Sequence, residues 1–162
     1  MKKVGNLVVL YIFPVLAICL LFLNGKIAEQ KYEGKDISSL SQYNAVISSD
    51  TGKVSMHPGE MGKIKLTIKN IGTMAWIPQK EKSINVSYHI LDSNGKIILQ
   101  DGERTGLPEA VKSGQKVSLD MNIKAPESEE NYKVEIDMVH ENVTWFGQKG
   151  SKTLTIDLEV KK

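Results

Sequence analysis

Cysteine is nearly absent: there is one in 162 residues, which excludes an internal disulfide and a cysteine-based zinc cluster. An excess of charge of either sign is also missing. With 21 Lys and Arg against 19 Asp and Glu, the formal charge of +2 is too small to argue for nucleic-acid binding. There is no Gly-x-Ser-x-Gly elbow, no glycine-rich phosphate loop and no internal repeat. His57, His89 and His140 lie on three separate segments, without the paired spacing of a metal site. Cys19 sits inside a long apolar run, so a cysteine nucleophile is excluded too. These absences leave no cofactor, no metal and no catalytic residue to assign, and the chain reads as a non-enzyme.

What is present is unevenly placed. A content of 41% hydrophobic and 25% charged residues is ordinary for a globular domain. Yet the run from Leu7 to Leu23, after Lys2 and Lys3, holds no charged residue. Counted from Val4, it is long enough as a helix to cross roughly 30 Å of hydrocarbon. Residues 1–26 are therefore read as one N-terminal transmembrane helix of the signal-anchor type, touching the membrane through residues 4–23. The two lysines place the N-terminus inside and the rest outside, giving a single-pass cell-membrane protein with an extracytoplasmic C-terminal domain. Cleavage as a secretory signal is the alternative and would yield a secreted chain, although Phe22 to Ile27 forms no Ala-x-Ala-like site. Lipidation of Cys19 is a third reading, with Ile18 the wrong residue before it. Without residues 1–26, 18 basic and 19 acidic residues remain, so the positive balance belongs to the membrane boundary and the exported part offers no basic stripe for nucleic acid. Residues 27–43, polar and serine-rich, read as a tether.

From residue 44 to 162 the pattern turns to period two, the mark of strands with one buried face. Ile64, Leu66 and Ile68 alternate with lysines and Thr67; Ile84, Val86, Tyr88 and Ile90 alternate with Asn85, Ser87 and His89. Val117 to Ile123, Tyr132 to Met138 and Leu154 to Val160 repeat the pattern, and Ala45–Ile47 and Lys96–Leu99 are shorter candidates. About seven short strands with turn residues between them predict an all-β, antiparallel sandwich. Asn94-Gly95 is read as a tight hairpin turn in which both residues take positive φ. A calcium loop at Asp92, Asn94 and Gly95 is rejected, because no Glu closes it.

Asn70-x-Gly72 with Trp76, Ser87-Tyr88-His89-x-Leu91-Asp92, Asp101-Gly102-x-Arg104-Thr105-x-Leu107-Pro108, Ala125-Pro126, Tyr132 and Trp145-Phe146 together resemble a group of bacterial immunoglobulin-like accessory modules. That group is in turn similar to the tryptophan-containing immunoglobulin-like domain of autophagy receptors. The resemblance spans residues 52 to 160. It implies an immunoglobulin-like sandwich, found beside glycosyltransferase or methyltransferase domains or at the cell envelope, that binds rather than catalyses.

Four residues are candidates for ligand contact: Trp76, Arg104, Trp145 and Phe146. Arg104 can pair with Asp101, Asp137 or Glu141 and so fix the crossing of the two sheets, or it can hold an acidic sugar or carboxylate. A sugar-stacking site needs an exposed aromatic face. Trp145 and Phe146 are adjacent, so in a strand one is core and the other outward. Trp76 is placed at an end of the sandwich, and Tyr132 as the corner tyrosine of such folds. The function expected is protein–protein binding or scaffolding with an envelope partner, with recognition of cell-surface glycans as the alternative.

Overall fold

The computed structural model describes residues 41–78 and 81–162. The transmembrane helix read at residues 4–23, and the tether up to residue 40, lie outside them. Among the described residues the chain forms ten strands: β1 (Ala45–Ser48), β2 (Lys53–Met56), β3 (Met61–Asn70), β4 (Ile84–Leu91), β5 (Ile97–Leu99), β6 (Thr105–Gly106), β7 (Lys116–Lys124), β8 (Asn131–His140), β9 (Thr144–Trp145) and β10 (Leu154–Val160). One sheet has the order β1-β3-β7; the other runs β2-β10-β8-β4-β5, with β6 beside β4 and β9 beside β8. The β1-β3-β7 and β10-β8-β4 orders match strands A-B-E and G-F-C of the immunoglobulin sandwich.

Alternation explains the layers. Ile64, Leu66 and Ile68 of β3, with Val117, Met121 and Ile123 of β7, are buried against Ile84, Val86, Tyr88 and Ile90 of β4 and Tyr132, Val134, Ile136 and Met138 of β8. Each such side chain contributes about 1.5–3 kcal/mol of transfer free energy before conformational entropy is set against it. Tyr132 closes the corner at the start of β8 by donating its hydroxyl to the Ser128 carbonyl at 3.1 Å.

The strand count and direction differ from the sequence reading. The extra strands β2, β6 and β9 are two to four residues long, too short to show a period. Nor is the sandwich wholly antiparallel: β2 runs parallel to β10, with Ser55 opposite Glu159. That pairing has its own clamp. The Glu159 carboxylate takes Lys53 Nζ at 3.0 Å, Ser55 Oγ at 3.0 Å and Lys161 Nζ at 3.3 Å. The Lys53 contact first, then Ser55 and Lys161, hold its pKa down at about 2.

Two local readings also change. Tyr43, placed by sequence at the end of the tether, packs in the core with its ring 5.1 Å from Phe146, and its hydroxyl meets His140 Nδ1 at 3.0 Å. In the β4–β5 hairpin Gly95 has φ of 82°, while Asn94 is not in the positive region. The Asp92 carboxylate makes the difference, accepting the amides of Asn94 and Lys96 at 2.9 Å each, so one left-handed residue suffices.

At the end of β3 the side chain of Asn70 is fully buried and fully bonded. Its amide donates to the Met74 carbonyl at 2.8 Å and the Val111 carbonyl at 2.9 Å, and its oxygen accepts Gly72 N–H at 3.0 Å. These bonds hold the turn that carries Trp76. Asn70→Ala leaves the Gly72 amide and the Met74 carbonyl without this partner, while the Val111 carbonyl keeps the Trp76 amide, and is expected to destabilise the fold by about 1–3 kcal/mol, read as a lower urea midpoint at unchanged m-value.

Candidate functional site

The outer face of the seven-strand sheet is built by the alternate residues of β4 and β8. Register sets Asn85 opposite Val139, Ser87 opposite Asp137 and His89 opposite Glu135, and β9 adds Trp145 beside Val139. Period two predicts these side chains in solvent, yet Ser87, His89 and Asp137 are buried. Trp145 and the segment after β5 cover them.

That segment lies close because Gly102 has no side chain: a Cβ there would stand 2.6 Å from the Tyr88 ring. Gly102 N–H reaches the Tyr88 carbonyl at 2.9 Å, and its own carbonyl accepts Ser87 Oγ at 3.0 Å and Arg104 Nη1 at 2.9 Å. Arg104 then bridges two acids, with Nη2 on Asp101 at 2.8 Å and Nε on Glu141 at 3.0 Å, and also donates from Nη1 to Ser87 Oγ at 3.0 Å. Partial burial pulls the guanidinium pKa down, but Asp101 and Glu141 outweigh it and the net direction is upward. Its carbon sits 5.0 Å from the centre of the Trp145 ring, and the His89 ring lies 4.2 Å away on the same indole. Arg104 does not touch Asp137 and does not cross between the sheets. It ties a loop to the outside of one sheet.

Asp137 is held by backbone donors, Met138 N–H at 2.7 Å and Gly147 N–H at 2.8 Å. Burial raises its pKa, and those two bonds oppose the rise without cancelling it. Ser, His and Asp thus share one face, but not as a proton relay. Ser87 gives its proton to Gly102, His89 Nδ1 is bound to the Gln100 carbonyl, and both Asp137 oxygens accept amides. Among the described residues no group of three His, Cys, Asp or Glu side chains could hold a metal ion. The three histidines stay apart: His57 meets the Lys161 carbonyl and His140 meets Tyr43.

The four sequence candidates split into two pairs. Arg104 and Trp145 come together on the outer face. Trp76 and Phe146 come together in the core, both 0% exposed, with ring centres 5.7 Å apart, and offer no surface to a ligand. Among the described residues Trp76 Nε1 has no hydrogen-bond partner. Beside Trp145 a groove of about 450 Å³ is lined by Gln100, Glu135, Gln148 and Thr153. Ile97 of β5 completes this lining, while Ile98 and Leu99 of the same edge strand line a second groove with Lys124 and Pro126; the three are exposed by 42, 49 and 37%. Sequence reasoning missed this strip, although three consecutive apolar residues in a strand force at least one to point outward. It also missed the buried trio, for which a polar position on a covered outer face leaves no sequence signal.

No family model matches the chain, and no curated protein matches it. Solved structures do. The solution structure of the CARDB domain of a Pyrococcus furiosus protein is 17% identical, covering 72% of this chain and 92% of that one, at a TM-score of 0.42. A crystal structure of the same domain in complex with di-metal ions is 18% identical, covering 78% and 97%, at 0.41. A β-glucosidase from Listeria innocua in complex with glucose is 13% identical at 0.44, with 74% of this chain matching only 16% of that enzyme. Likenesses this distant say nothing of what this chain binds, and none of the three supports the autophagy-receptor resemblance. The fold assignment stands on strand order and register.

Asp137 gives the site a pH signature. Its pKa is higher folded than unfolded, so from the ordinary 3.8 upward to the raised folded value the native state binds more protons, and this group's contribution to stability falls as pH rises. Asp137→Asn removes that fall and loses one amide acceptor. Urea unfolding of both proteins across this range is expected to show a difference in stability that narrows with rising pH; a constant difference contradicts the assignment.

Proposed function

We propose that the chain is a noncatalytic binding module, held at the outer side of the cell membrane by residues 4–23, that docks an envelope protein along β5 and the groove beside Trp145. The observation that carries this reading is the division of labour on the outer face. Its polar groups are bonded inward and fix the loop, while Ile97, Ile98 and Leu99 remain as a contiguous exposed apolar strip on an edge strand. The neighbouring edge of the other sheet, β7, is closed in a way β5 is not. The β7 amides of Asn122 and Lys124 are taken by Thr105 Oγ1 at 3.1 Å and Tyr88 Oη at 2.9 Å. An edge with free backbone groups and apolar side chains suits a partner that adds main-chain and side-chain contacts together.

A second reading is favoured by a different feature. Half-buried Trp145 next to Gln100, Gln148, Glu135 and Thr153 is the residue chemistry of a sugar subsite.

Photocrosslinking separates the two. A photoreactive residue at position 98 of the full-length chain in intact cells is expected to give a discrete protein adduct that a residue at 118 does not. Ile97→Asp and Leu99→Asp should abolish the adduct while shifting stability by no more than about 0.5 kcal/mol. Adducts indifferent to those changes overturn the docking edge. Glycan-array binding lost in Trp145→Ala would favour the sugar reading instead.

A further inference from the structure

Residues 41–162 carry sixteen basic and sixteen acidic side chains, yet these are not evenly spread. The outer face of the β1-β3-β7 sheet gathers Lys63, Lys65 and Lys69 from β3 and Lys116 and Lys124 from β7, all exposed. Register interleaves them: Met61 stands opposite Lys124, Lys63 opposite Asn122, Lys65 opposite Asp120 and Lys69 opposite Lys116. Asp120 is the one acid among these outward positions, and Glu109 borders the Lys69–Lys116 end. None of the five lysines has an ion-pair partner within 4.0 Å among the described residues.

We infer that this face lies on anionic lipid headgroups. Three features favour a membrane plane over other polyanions. The charges are spread over a sheet face, from Lys63 to Lys69 about 20 Å along the strand, rather than lining a groove. They are lysines, point charges without the planar fork that reads individual phosphates, and no aromatic side chain stands among them to stack a base. Exposed apolar side chains accompany them, Met61 at 55% and Val46 at 49%, which suits the boundary between headgroups and acyl chains. The chain also enters the sandwich through β1, an edge strand of this same sheet, only a few residues beyond the tether. The inference rests on the membrane-anchored reading in assuming that lipid is near. The lysine geometry stands apart from it.

The test uses the full-length chain reconstituted in phosphatidylcholine vesicles with or without phosphatidylglycerol, labelled by a membrane-impermeant amine reagent and read by mass spectrometry. Lys63, Lys65, Lys69, Lys116 and Lys124 are expected to react several-fold more slowly in the phosphatidylglycerol vesicles, with Lys96 and Lys133 unchanged. High salt should erase the difference. Each lysine near an anionic surface is worth about fivefold in the bound fraction, so Lys65→Glu with Lys69→Glu should expose the remaining three. Equal labelling in both vesicle types overturns the inference. So does protection in phosphatidylcholine vesicles by an added soluble polyphosphate that matches the lipid effect. The anchor is judged separately by flotation with pure phosphatidylcholine vesicles: a chain that does not float refutes the anchor, and labelling of that chain mixed with phosphatidylglycerol vesicles still decides the face.

Discussion

Strands β4 and β8 are buried on both faces, and this constraint organises the molecule. Their inward side chains meet the other sheet, which any sandwich provides. Of their outward side chains Ser87, His89 and Asp137 are polar and covered all the same, so each needs a hydrogen-bond partner or carries a desolvation penalty of about 1–3 kcal/mol. The cover supplies those partners. Gln100 and Gly102 offer carbonyls to His89 and Ser87, Gly147 offers an amide to Asp137, and Arg104 bridges Asp101 and Glu141 beside the indole of Trp145.

The same constraint accounts for the chemical quiet of the face. A nucleophile needs its proton directed to a base, and a base needs a free lone pair aimed at that proton. Here the Ser87 proton goes to the Gly102 carbonyl, its oxygen accepts Arg104, and both Asp137 oxygens accept backbone amides. Residue types alone would have suggested a triad; hydrogen-bond direction removes it. The raised pKa of Asp137 is then a consequence of cover, not of catalytic tuning.

Legibility in the sequence followed the length and regularity of each signal. The long strands were readable because Ile64 to Ile68, Ile84 to Ile90 and Tyr132 to Met138 keep period two over several residues. The opposite facing of Trp145 and Phe146 was readable from adjacency, and the Tyr132 corner from its place at a strand start. Strands β2, β6 and β9 were not, because two to four residues show no period and their pairing is set by distant partners such as Glu159. The partners of Arg104 were among those the sequence suggested, but its place on the outer face depended on how closely Gly102 approaches Tyr88. The lysine face was half visible: Lys63, Lys65 and Lys69 alternate along one strand, while Lys116 and Lys124 join them only through a register spanning some fifty residues of chain.

Charge and apolarity are thus sorted between the two sheets. One outer face holds lysines on a flat two-strand surface; the other holds a fixed polar cover and ends at an apolar edge. A body free in solution gains nothing from such sorting, since Coulomb interactions between exposed charges are screened within about 8–10 Å and an exposed apolar edge invites unspecific pairing. A body beside an anionic plane does gain. On the readings proposed above, attraction through the lysine sheet would orient the sandwich, and because the two sheets are opposite layers of one core the outer face that carries Trp145 would turn away from the lipid.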